Sequence, residues 1–187
     1  MKKLQYNSPV ILTFFFASLF VLALDAITGG ASTLAAFCVY RSPVSPLFFV
    51  RLFGHVLGHS GIQHFLGNMT LLLVLGPPLE EKYGSKTLLV GIAFTAVTSG
   101  ILQCILFPNA ALLGASGIVF MLIMLSSLAG MKSGQIPLTL LVAALYLGDH
   151  DQVYSILFVR DNVANFMHIV GGACGTAFGF AVAKPRR

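Results

Sequence analysis

Charged side chains are scarce in this chain of 187 residues: 9% are Asp, Glu, Lys or Arg, against about 25% in soluble domains. A water-soluble fold of this size could not hide the apolar surface that remains. Acidic residues are the rarest, six in all. Asp25, Asp149, Asp151 and Asp161 stand at the ends of apolar runs or in loops, which argues against a pair of facing aspartates inside a membrane. No HExxH occurs, so the two-histidine zinc-hydrolase helix is missing. His55, His59 and His64 are spaced closely enough to hold a metal in principle. No carboxylate or cysteine accompanies them, so no metal site and no cofactor are expected, and His55 and His59 are read as ordering a loop. The three cysteines, Cys38, Cys104 and Cys174, are odd in number and form no CxxC. They are read as small packing residues rather than as a disulfide or zinc framework. No internal repeat, soluble domain or linker stands out, and the cations are too dispersed to form a face for nucleic acid.

What the chain does have is apolar residues, 57% of the total, and a mean hydropathy of +0.89. Breaks of charge, Pro or Gly divide them into six spans at about 9–26, 62–79, 86–107, 116–130, 135–149 and 163–183. The sequence is expected to form a single all-α membrane domain over 1–187. Lys2 and Lys3 before the first apolar run also fit a cleaved signal, but the segment is read as a span. Six spans place both termini on one side. Lys2, Lys3, Lys82, Lys86, Lys132, Lys184, Arg186 and Arg187 fall there, and Arg41, Arg51 and Arg160 on the other. That asymmetry predicts cytoplasmic termini in a multi-pass protein of the plasma membrane, in contact with the lipid bilayer. The residues fix no oligomeric state.

The fourth span is short. Its fifteen or so residues make a helix of roughly 22 Å in roughly 30 Å of hydrocarbon. With its inner end fixed near Lys132, its outer end at Ser116 stops below the surface. The preceding Leu113-Gly114-Ala115 must then dip into the membrane, where irregular backbone survives only beside protein or water. Ser116 lies in Gly114-Ala115-Ser116-Gly117 at a helix start, where glycines permit close approach and free N–H groups favour a developing oxyanion. His168 lies at a similar depth in the sixth span and is followed by Gly171, Gly175 and Gly179. Such a small-residue stripe lets two helices meet closely, so an imidazole could take the serine proton. His64 and Asn68, four residues apart, share the outer face of the second helix. With the Ser116 N–H they supply donors for an oxyanion.

These residues resemble the rhomboid family of intramembrane serine proteases over about 48–183. The resemblance is carried in order by Arg51-Leu52-Phe53-Gly54-His55, by His64-Phe65-Leu66-Gly67-Asn68-Met69, by Gly76 through Glu80 to Gly84, by Gly114-Ala115-Ser116-Gly117, and by His168 with Gly171 and Gly175. It implies a rhomboid-like bundle of six transmembrane helices and a Ser116–His168 dyad without an aspartate. It also implies an oxyanion site of His64, Asn68 and the Ser116 amide, with Arg51 structural in the outer loop and Glu80 tying the inner turn. The implied substrates are single-pass transmembrane proteins, admitted beside the fifth helix. One departure is Phe48-Phe49-Val50 before Arg51, where many members place an aromatic directly ahead of the arginine. Two other readings are an inactive rhomboid-like factor for membrane-protein quality control and a small transporter. Relatives of the first kind usually lack the serine or the histidine. The second calls for more intramembrane charge or paired broken helices.

Overall fold

A computed structural model describes residues 5–129 and 162–182, with residue 138 between them. Apart from that residue, the fifth span expected at 135–149 lies outside the described residues, as does most of the loop after it. The described residues form seven helices: α1 (Pro9–Thr28), α2 (Ala31–Ala36), α3 (Pro46–Gly54), α4 (Ile62–Tyr83), α5 (Ser85–Leu106), α6 (Ser116–Ala129) and α7 (Asn162–Val182). The only β pairing among them is a single bridge between Val39 and Leu112. The fold is an all-α bundle.

α1, α4, α5, α6 and α7 occupy the first, second, third, fourth and sixth apolar segments. α1 and α5 are long and apolar enough to cross a bilayer, with mean hydropathies of 2.5 and 2.0. Two elements differ from expectation. The segment expected to stop at 79 continues to Tyr83 through Pro77 and Pro78. Each proline removes one ladder bond, but the turn beyond them is anchored by Glu80. Its carboxylate accepts from the Val10 N–H (2.9 Å), the Ile11 N–H (3.0 Å) and the Ser85 hydroxyl (2.7 Å). One buried anion thereby caps the N-terminus of α1 and closes the α4–α5 turn. The other difference is the long connection from 27 to 61, which contains two short helices. Pro46 starts α3, and the Ser45 hydroxyl accepts from the Phe48 N–H at 3.2 Å.

α6 is the centre of the bundle. Ile118, Val119, Met121, Leu122, Met124, Leu125 and Leu128 are all buried along it, the pattern of a helix covered on most sides. α7 lies against it through glycines. A β-carbon at Gly171 would collide with the Gly117 carbonyl and stand 2.8 Å from its Cα. One at Gly175 would collide with the Met121 carbonyl, and one at Gly179 would come 2.5 Å from the Leu128 side chain. The absent side chains therefore set the helix separation.

Candidate active site

The site is assembled from the loops at the end of the bundle where α6 begins. Leu112 exchanges two backbone hydrogen bonds of 2.9 Å with Val39. Two residues on, the Gly114 N–H donates to the His55 carbonyl at 2.9 Å. The buried Gln103 amide donates to the Ala110 carbonyl at 2.9 Å and the Phe107 carbonyl at 3.4 Å. The segment from 107 to 115 is thus held at several points before it turns into α6. Gly114 makes that turn at φ +120, a value open to glycine and strained for other residues.

The α6 ladder begins with the Val119 N–H donating to the Ala115 carbonyl at 2.9 Å. Ala115 is therefore the capping residue, and Ser116 is the first residue of the helix. The N–H groups of this first turn have no intrahelical acceptor. Ser116 is half-buried, and its hydroxyl makes no capping bond among the described residues.

His168 is half-buried on α7, one turn before the Gly171–Gly117 contact. Its ring stacks on Phe120, with centroids 4.4 Å apart and planes at 22°. Phe120 is four residues after Ser116, on the same face of α6. Helical side chains lean toward the N-terminus, so Phe120 leads the imidazole toward the serine turn. No hydrogen bond joins Ser116 and His168, and His168 Nδ1 is buried without a partner among the described residues.

His64 enters from the first turn of α4. A β-carbon on Gly114 would stand 2.7 Å from its Cε1 and 2.8 Å from its Nε2, so the ring edge lies against the bend before Ser116. Its Nδ1 lies 3.1 Å from the Ser60 hydroxyl and accepts from the Ser60 N–H at 3.4 Å. Asn68, buried one turn later, donates from Nδ2 to the His64 carbonyl at 3.0 Å. The amide keeps a second N–H.

The remaining predicted residues support rather than line this site. Arg51 donates from Nε to the Ala35 carbonyl at 2.8 Å and from Nη1 to the Ser42 hydroxyl at 3.4 Å, and its guanidinium lies 4.4 Å from the Tyr40 ring centroid. The aromatic partner of Arg51 thus comes from eleven residues upstream. Glu80 serves the opposite end of the bundle. Gly117, Gly171 and Gly175 form the α6–α7 contact. His55 and His59 are 1% exposed. His55 Nδ1 bonds to the Arg51 (3.3 Å) and Leu52 (3.2 Å) carbonyls, and its Nε2 lies 3.4 Å from the Ser99 hydroxyl. His59 Nδ1 bonds to the Leu57 carbonyl at 3.1 Å. Burial lowers both imidazoles to about 4, with His64 adding to the effect on His59. Sequence reasoning missed Phe120 and Ser60. The first carried the signal of an aromatic one turn after the serine. The second carried only that of a hydroxyl four residues before His64.

A helical bundle whose short central helix opens on a serine, with His64 against the bend before it and His168 stacked on Phe120 one turn along it, defines a class of membrane protein with a polar site at one end. The model of the Rhomboid domain matches residues 47–185; the chain belongs to the rhomboid family and is a membrane protein. It is 31% identical over 142 residues to Rhomboid-related protein 1 of Caenorhabditis elegans, covering 71% of this chain and 39% of that protein. It is also 31% identical over 145 residues to Rhomboid-related protein 2 of Mus musculus, covering 71% of this chain and 47% of that protein. The chain spans under half the length of either relative.

Proposed function

We propose that this chain is a serine endopeptidase that cleaves single-pass transmembrane proteins within the bilayer, at the plasma membrane, with its termini in the cytoplasm. The observation that carries the reading is the His168 ring stacked on Phe120, one helical turn from Ser116 and beside the Gly117–Gly171 contact. The two side chains are not hydrogen-bonded, and catalytic hydrogen bonds often tighten only when substrate is bound.

In the proposed reaction His168 removes the Ser116 proton as Ser116 Oγ forms a bond to the scissile carbonyl carbon. The oxyanion is held by the His64 Nε2–H, the free Asn68 N–H and the Ser116 amide. His168 then gives its proton to the amine as the C–N bond breaks. Water, deprotonated by His168, attacks the acyl group, and Ser116 leaves with the proton. Loss of one oxyanion donor typically costs roughly a hundred- to a thousand-fold in rate.

The test is cleavage of a transmembrane substrate in proteoliposomes, with fluorophosphonate labelling of Ser116. Ser116→Ala and His168→Ala are each expected to abolish both cleavage and labelling. Cleavage that persists in Ser116→Ala, or a wild-type chain that never labels, would overturn the assignment.

A further inference from the structure

His64 can carry its neutral-form proton on either ring nitrogen, and only one choice presents a donor to the serine turn. We propose that Ser60 is a positioning residue that fixes His64 as the Nε2–H tautomer, aimed at the Gly114–Ser116 bend. The inference rests on the protease reading and names the residue that prepares one of its oxyanion donors.

The argument begins at Nδ1. The Ser60 backbone N–H lies 3.4 Å from that nitrogen and can only donate. The Ser60 hydroxyl lies 3.1 Å from the same atom and can rotate to donate as well. Nδ1 must therefore present its lone pair, and the proton of the neutral ring sits on Nε2. The opposite tautomer would set the Nδ1–H against the Ser60 N–H, donor to donor. Nε2 in turn is the edge that a β-carbon on Gly114 would meet at 2.8 Å. The His59 ring packs edge-on against His64, with centroids 5.1 Å apart. His59 is itself held by the Leu57 carbonyl. Ser60, His59 and the Gly114 bend together restrict the His64 ring from three directions, and of these only Ser60 selects the tautomer.

The experiment uses the full chain in proteoliposomes. Ser60→Ala removes the shorter of the two contacts and leaves the backbone one. It is expected to lower kcat about five- to tenfold, the worth of roughly one hydrogen bond, with KM unchanged. Ser60→Thr, which keeps the hydroxyl, is expected to restore kcat. Nitrogen-15 spectra of histidine-labelled protein are expected to show His64 with a lone-pair Nδ1 in the wild type and a measurable share of the Nδ1–H tautomer in Ser60→Ala, where only the long 3.4 Å backbone donor is left to oppose it. An unchanged kcat and unchanged His64 nitrogen shifts in Ser60→Ala would overturn the proposal. So would an equal loss in Ser60→Thr accompanied by a lower melting temperature, because that pattern marks a structural role. The nitrogen spectra do not depend on activity. Failure of the protease reading, seen as cleavage surviving Ser116→Ala, is therefore distinguishable from failure of this one.

Discussion

At the residue scale the site depends on one position that tolerates no side chain. Gly114 combines φ +120 with a hypothetical β-carbon only 2.7 Å from the His64 ring. Gly114→Ala must relax the bend, displace His64, or both. A displacement of about 1 Å of reacting groups can cost about a hundredfold in rate. Gly114→Ala is therefore expected to lose about that much in kcat while its helical circular dichroism stays near wild type. Wild-type turnover would show that the bend does not position the site. Phe120 contributes through its side chain instead. Its stacking on His168 has the worth of an aromatic pair, about 0.5–1.5 kcal/mol. Phe120→Leu is expected to lower kcat/KM about two- to tenfold and Phe120→Tyr to preserve it, as measured on one substrate. The sequence marks Ser116, His168, His64 and Asn68 as candidates because polar groups are rare and costly in apolar spans. It hides Phe120, one of 16 phenylalanines, because nothing marks an aromatic as a platform until the neighbouring helix is in place.

At the scale of elements, the glycine stripe of α7 is legible in the order of residues alone, because a period of four on a helix can only describe one face. Its partner is not. Nothing in the sequence distinguishes the Gly117 and Met121 backbone as the surface it meets, since close approach is set by atoms that every residue has. Gly175→Leu would drive a side chain into the Met121 carbonyl and Cα, where backbone cannot yield cheaply. Overpacking of this kind costs typically about 1–3 kcal/mol. The variant is expected to melt at a lower temperature in detergent and to lose activity through separation of α6 and α7. An unchanged melting curve would show that the two helices are not held by this contact. Glu80 behaves differently. Its two oxygens accept from three donors, so Glu80→Gln turns an amide N–H₂ toward an N–H or hydroxyl. Each hydrogen bond to a charged group contributes about 1.5–3 kcal/mol, and both Glu80→Gln and Glu80→Ala are expected to destabilise α1 against α4. Hydrogen exchange at the start of α1 would report it. The helices α2 and α3 escape a reading by periodicity because six and nine residues are too few to show a helical period. The Ser45-Pro46 start of α3 is the one local signal.

At the scale of the whole molecule, the loops over the Ser116 end form one connected structure. The Val39–Leu112 bridge, the His55 carbonyl holding Gly114 and the Arg51 strut to Ala35 join the long connection to the bend before α6. The histidines in that connection are buried as neutral rings, and their environment gives the assembly a pH dependence whose sign follows from linkage. Burial lowers His55 and His59 from 6.5 to about 4 in the folded chain, while an unfolded chain binds those protons at the ordinary value. Above about pH 6.5 both states are neutral and the histidines add no slope. Between about 6.5 and 4 the unfolded state holds more protons than the folded one, so stability falls as the pH is lowered through that window. For His55, whose side chain is almost wholly enclosed, the full effect is on the order of 3 kcal/mol. The expected outcome is a melting temperature in detergent that is level above pH 7 and declines steadily toward pH 4. A His55→Gln, His59→Gln double variant should start lower and show a flatter decline. A wild-type melting temperature independent of pH across that window would mean that these rings are not enclosed as neutral groups.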